Sequence, residues 1–285
     1  MTRIRRIAIG AINVVLHPHS PELYDQLLSH ACDSFAYGKI RGLDWGVIGT
    51  KSPWDAGSEM PVIGSFWRFV NIDPEAPWAN LKTRRAQSPG ETPIIPPELK
   101  PHLRKDAFVF YPKGHRLFFD ATRFSPISAA KMLRDIFSDT AIQKQFGDVD
   151  VHVETSSEAI ERIKAMHRLA SIELFISMPN PDDNEDEQRV MNRLDGIGAK
   201  KVDEKYTARR GGSITPDEEL DTRMKVARSN GYVKAVGYSQ DETRAEICTK
   251  KHPLRSSIYY QPDDESVMDV LIREGRRLLR QITGK

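Results

Sequence analysis

The chain has 285 residues, 39% hydrophobic and 29% charged, the composition of a folded chain of one large domain or two small ones. Two cysteines, Cys32 and Cys248, exclude a disulfide scaffold or a cysteine-only zinc site and fit a reducing compartment. No apolar run approaches the ~18 residues that span a bilayer, and the charged residues 1–6 have no long apolar core behind them. No membrane partner and no secretory leader are therefore expected, and the expected compartment is the cytoplasm.

The 42 basic and 40 acidic residues leave a net charge that names no partner, but the charge is uneven. Residues 190–285 hold 19 Lys/Arg against 15 Asp/Glu. The shift coincides with Pro179-Asn180-Pro181 and the acidic run 182–187, where turn formers stop a strand and acids open a helix. This places a domain boundary near residue 180. Residues 1–180 form a mixed α/β domain, and residues 181–285 a basic domain of helices and a β-hairpin.

Residues 7–16 are apolar and β-branched, a buried strand. Ser20-Pro21-Glu22 opens a helix to about Cys32, with Ser20 as N-cap and Pro21 in the first turn. Residues 37–42 are basic and flexible, and residues 44–51 and 60–72 are strands. The proline-rich stretch 73–105 matches no period and reads as a long loop. Phe108–Tyr111 and Leu117–Phe119 flank Pro112-Lys113-Gly114-His115 as a hairpin. Ser125-Pro126 caps a helix with Ile127, Ala130, Leu133, Ile136 and Phe137 on one face.

Val149, Val151 and Val153 alternate with polar residues, so their strand is expected to have one wet side, carrying His152 and Glu154. Thr155 with Glu158 makes a capping box, and Ile172, Leu174, Ile176 and Met178 alternate again. Residues 185–208 read as a helix or a broken helix pair. Thr215-Pro216-Asp217-Glu218 caps the next helix, which Ser229-Asn230-Gly231 ends. Strands at 232–238, 244–249 and 257–260 lead into a terminal helix after Asp263-Asp264-Glu265. The expected class is α+β: an N-terminal mixed sheet with helices on one face, plus a smaller helix/hairpin/helix part.

Two features point to phosphate. Arg273, Arg276, Arg277 and Arg280 fall at i, i+3, i+4 and i+7, one stripe of a helix whose Val267, Val270, Leu271, Leu278 and Ile282 lie opposite. Arginines in such a row can make forked bonds to phosphates, although bases near a helix end also complement its dipole. Leu194-Asp195-Gly196-Ile197-Gly198-Ala199-Lys200-Lys201 resembles the hairpin of helix-hairpin-helix DNA-binding modules, whose backbone N–H groups face a phosphate. Arg209 and Arg210 stand in a nearby Gly-rich turn.

Signs of catalysis are sparse. The chain has no Walker loop, Rossmann fingerprint, serine elbow or zinc spacing, so no cofactor, metal or catalytic residue is expected. His17-Pro18-His19 reads as a strand-end turn, and both cysteines as packed thiols. A metal-independent endoribonuclease needs only scattered His and Tyr groups, for which His17, His19, Tyr111 and His115 are the candidates.

The stretch from Ile172 to Gly237, and above all Ala227-Arg228-Ser229-Asn230-Gly231-Tyr232-Val233-Lys234-Ala235-Val236-Gly237, resembles an uncharacterised bacterial family, a domain of unknown function. Across residues 105–285 the arrangement also loosely resembles the phage-exclusion protein RexA and the KwaB-like defence proteins. That resemblance implies a DNA-binding, often dimeric sensor. The N-terminal part is similar at fold level to CRISPR repeat-processing endonucleases, without their C-terminal glycine-rich loop. The expected function is accordingly a nucleic-acid-binding sensor or regulator in bacterial antiphage defence, with DNA ahead of RNA. Its phosphate contacts are Lys200, Lys201, Arg209, Arg210, Arg273, Arg276, Arg277 and Arg280. A homodimer or a partner protein encoded nearby is a further option, and the alternatives are the endoribonuclease and a protein–protein adaptor.

Overall fold

The computed structural model describes residues 4–56, 59–73, 76–87, 96–180 and 184–284. The chain begins with β1 (Arg5–Leu16), α1 (Pro21–Asp33), β2 (Tyr37–Arg41), β3 (Asp44–Lys51) and β4 (Val62–Val70). A short ladder of β5 (Ala79–Asn80) with β6 (Arg85–Ala86) precedes the hairpin β7 (Arg104–Tyr111) and β8 (Arg116–Asp120). Then come α2 (Pro126–Phe137), α3 (Thr140–Phe146), β9 (Val149–Val153), α4 (Ser157–Lys164) and β10 (Arg168–Ser177). The remainder is α5 (Glu185–Gly196), β11 (Lys201–Thr207), α6 (Glu218–Asn230), β12 (Gly231–Tyr238), β13 (Arg244–Cys248), β14 (Arg255–Tyr260) and α7 (Val267–Thr283).

Two antiparallel sheets organise these elements, an α+β architecture. The larger sheet runs β14-β1-β8-β7-β4-β3-β2, and β9 also pairs with β1. The 12-residue length of β1 permits this: residues 5–10 pair with β14 and residues 12–16 with β9. The smaller sheet runs β11-β10-β12-β13.

The apolar run in β1 reflects burial on both faces. Ile7, Ile9 and Ala11 join Val109, Tyr111 and Phe118 beneath α7. Ile12, Val14 and Leu16 face the other way, with Phe108, Phe110, Leu117 and Phe119 against α1, α2 and α3. Fully burying each such Phe or Ile side chain stabilises by about 1.5–3 kcal/mol. Ser20 and Ser125 cap α1 and α2 as expected, each accepting a bond from a first-turn amide, with Pro in the first turn. At Gly38 of β2 a Cβ would lie 2.0 Å from the Met132 carbonyl, so glycine lets α2 press onto this strand.

The chain departs from several expectations. A cut near residue 180 does not follow the sheets: β10 already belongs to the smaller one, while β14 and α7 return to the larger. Helix α7 thereby covers a second face of the larger sheet. Residues 37–41 form an edge strand, because β3 offers them a ladder. Ile127 is exposed, and Ala129 and Met132 take the core side of α2 instead. Ser156 and Asp217 are the N-caps of α4 and α6, in place of Thr155 and Thr215. Within 73–105 the short β5–β6 ladder forms, while residues 74–75 and 88–95 lie outside the described ones, as do 182–183 of the acidic run.

Candidate functional site

The second sheet meets the first along a row of polar groups on one face of β1. Arg116 of β8 and His152 of β9 both pair with Asn13 of β1, so the three side chains leave the same face just beyond the edge of α7. This face meets α6 and β10. The polar side of β9 is therefore the junction between the sheets, and Glu154 is fully buried there rather than wet.

Burial of these charges is matched by bonds. Arg116 Nε donates to Glu154 Oε1 at 2.5 Å and its Nη1 to Asn13 Oδ1 at 2.8 Å. Ser229 Oγ donates to the second Glu154 oxygen at 2.8 Å. Asn13 Nδ2 donates to the Ser229 carbonyl and to Asn230 Oδ1, both at 3.0 Å, and Asn230 Nδ2 reaches Glu187 of α5 at 2.8 Å. Glu154, Arg116, Asn13 and Asn230 are all nearly or fully inaccessible. A buried ion pair is tolerated only when its remaining hydrogen-bonding groups are satisfied in this way.

The Ser229–Gly237 stretch that carried the family resemblance thus has structural duties. Ser229 and Asn230 lock the seam, and Val233 and Ala235 fill the second core. Gly231 does not end α6 in a left-handed conformation, as expected of such a stop: its φ is 170°. Glycine is needed there because a Cβ would lie 1.8 Å from the Phe175 carbonyl on β10.

A cleft of about 460 Å³ opens where β9 and α2 face β10 and β12. Ile127, Val149, Val153, Phe175 and Tyr232 give it apolar walls, and Arg134, Lys201 and Lys250 bring positive charge. Lys201 Nζ is 3.7 Å from Asp150, the carboxylate in the lining. Lys250 Nζ sits 3.7 Å from the centre of the Tyr232 ring, which stacks on Phe175 across the strand pair. His152 also lines the cleft, and its Nε2 is 2.8 Å from Ser177 Oγ. Burial lowers the His152 pKa to about 4, against the partial opposition of Asp150. The ring is therefore neutral near pH 7, and Arg134, Lys201 and Lys250 outnumber Asp150. A smaller cavity of about 280 Å³ beside α4 and α6 mixes Lys164, Lys225 and Arg228 with Glu161, Asp186 and Glu187, and is not an anion site by charge.

The expected phosphate contacts fall into three separate places. Lys200 and Lys201 stand at the start of β11 beside β9, where Lys200 pairs with Asp148 at 2.8 Å. Arg209 and Arg210 follow the other end of β11, about 20 Å away along a seven-residue strand. The arginine stripe lies on α7, over the larger sheet. Arg273 pairs with Glu265 and Glu274, and Arg277 with Glu274 at 2.7 Å, so acids offset half of it. Residues after Gly198 form β11 against β10, so the helix-hairpin-helix reading lacks its second helix.

The other candidates divide as well. His17, His19 and His115 gather at one end of the seam: His19 and His115 ring centres are 6.4 Å apart, and His17 Nε2 lies 3.2 Å from the Met178 carbonyl. His115 is buried, with Nδ1 2.7 Å from Asn13 Oδ1 and Nε2 3.0 Å from the Asn180 carbonyl, so both ring nitrogens are engaged in the scaffold. Tyr111 is elsewhere, donating to the Ile272 carbonyl of α7. Burial pushes the Cys32 thiol up, as expected of a packed cysteine. Among the described residues no group of His, Cys, Asp and Glu could hold a metal ion.

Arg134 and Lys250 were not singled out from the sequence, whereas His152 was, together with Glu154, as part of the polar side of its strand. Their strands and helix were legible, but their convergence depends on how the two sheets meet.

An α+β chain of two antiparallel sheets, joined by a buried polar seam and sharing a basic cleft, is the class these features define. The family model for a domain of unknown function (DUF4747) matches residues 5–276, and the chain belongs to that family. No curated protein matches it. No helix among the described residues is long and apolar enough to cross a membrane.

Proposed function

We propose that the protein binds nucleic acid through phosphate contacts in the cleft between its two sheets. The observation that carries this reading is the convergence of Arg134, Lys201 and Lys250 on one cleft in which Asp150 is the opposing carboxylate. The α7 stripe supports it less, because Glu265 and Glu274 already engage two of its arginines. On the resemblance to the phage-exclusion proteins, the proposed ligand is DNA ahead of RNA, and the proposed role is a sensor or regulator in bacterial phage defence. A second copy or a neighbouring protein would then receive the signal.

Fluorescence anisotropy with labelled duplex DNA, single-stranded DNA and RNA, from low to moderate salt, tests the reading. Binding that weakens steeply with salt is expected, and Lys201→Ala/Lys250→Ala should reduce the slope of log K against log salt by about 2. No binding to any of the three would overturn it.

A further inference from the structure

The composition of the cleft says more than its charge. A surface that holds only duplex backbone needs cations in a row and no apolar walls, because a duplex presents phosphates and groove edges while its bases remain stacked inside. Here the cations border a recess of about 460 Å³, within the range of about 300–1,000 Å³ typical of sites that enclose a small molecule. Its sides are apolar: Ile127, Val149 and Val153 come from the first sheet's side, and Phe175 and Tyr232 from the second. The aromatic pair is nearly parallel, 16° between planes, and Lys250 Nζ lies over the Tyr232 ring, 3.7 Å from its centre. A planar apolar group and an anion are thus accommodated side by side.

Resting on the nucleic-acid reading above, we infer that the cleft holds one unpaired nucleotide. Its base lies between the valine and aromatic walls, and its phosphate lies on Lys201 and Lys250. The Tyr232 ring already packs against both Phe175 and Lys250, so the base meets the edge of this group and does not intercalate in it. Single strands offer such a nucleotide freely, whereas a duplex must first extrude one, at the expense of pairing and stacking.

The test compares a labelled single strand of about 20 nucleotides with the same sequence as duplex, at one salt concentration. Adenosine monophosphate and inorganic phosphate, matched in ionic strength, serve as competitors. The inference expects the single strand to bind about tenfold tighter or more, and the mononucleotide but not phosphate to displace it. Ile127→Trp, at an exposed position on the cleft wall, should collapse the preference to about twofold or less while circular dichroism shows an intact fold. Binding of the mononucleotide itself, read directly by isothermal titration calorimetry, in the absence of measurable strand binding would mean that a free nucleotide is the ligand, and would uphold the cleft chemistry while overturning the nucleic-acid reading. Equal or tighter binding of the duplex, or displacement by phosphate as effective as by the mononucleotide, would overturn the inference and leave that reading standing. No binding of any ligand would overturn both.

Discussion

Strand β9 contributes to two polar regions that obey opposite rules. Just past its end, at Glu154, the chain enters a sealed seam, where a carboxylate receives one bond from Arg116 and another from Ser229. At Asp150 and His152 it borders an open cleft in which cations exceed the acid. Around Glu154 the seam matches donors with acceptors between the two sheets. The cleft is left unbalanced and faces outward. Buried polarity that is matched within the fold holds it together, and polarity left unmatched at an opening is available to a ligand.

The largest effect should come from breaking the seam. Glu154→Ala leaves the Arg116 charge buried without its partner and should cost about 3–5 kcal/mol of stability by urea denaturation. Replacing both partners, Arg116→Met with Glu154→Leu, should recover most of that loss, since apolar pairs of similar volume often match a buried ion pair. A single variant as stable as the parent would mean that the seam does not hold the sheets.

Acid comes next. His152 is held neutral by burial, its pKa lowered from 6.5 to about 4, whereas the unfolded chain takes up that proton near 6.5. The unfolded state therefore binds more protons between these values. Stability is fully present above about pH 6.5 and falls as the pH drops toward 4, by up to about 3 kcal/mol. Urea midpoints across this window should flatten in His152→Gln, which keeps an amide near Ser177. An unchanged profile would place the acid sensitivity elsewhere.

The cleft itself should affect binding and not folding. Lys201→Ala/Lys250→Ala is expected to weaken nucleic-acid binding about tenfold or more, equivalent to about 1.4 kcal/mol, while thermal unfolding barely moves. Smallest of all is the stripe: Arg273→Ala removes an exposed pair with Glu265 and should change stability by less than about 1 kcal/mol.

Local rules carried much of the fold. The Ser-Pro openings of α1 and α2, the β7–β8 hairpin and the two faces of β1 follow from capping, turn and alternation chemistry within a few residues. Strand β11 shows where such rules weaken. Val202, Glu204 and Tyr206 are half-buried and residues 201, 203, 205 and 207 exposed, a period of two, but its Lys, Asp and Glu residues are poor strand formers and suit an exposed edge. The candidate site was less legible. Alternation in β9 says that its faces differ, yet the polar face meets a second polar surface instead of water. Of the cleft cations, Lys201 was singled out from the sequence, through its neighbourhood of glycines. Arg134 and Lys250 come from α2 and the turn after β13, and only the meeting of the sheets brings them together.

The central claim is that the cleft, and not the arginine stripe, contacts phosphate. The most direct measurement is the salt dependence of DNA affinity for Lys201→Ala/Lys250→Ala beside a variant with Arg273, Arg276, Arg277 and Arg280 all changed to Ala. The account predicts a slope reduced by about 2 in the cleft variant and close to the parent's in the stripe variant. A slope lowered in the stripe variant and unchanged in the cleft variant would contradict it.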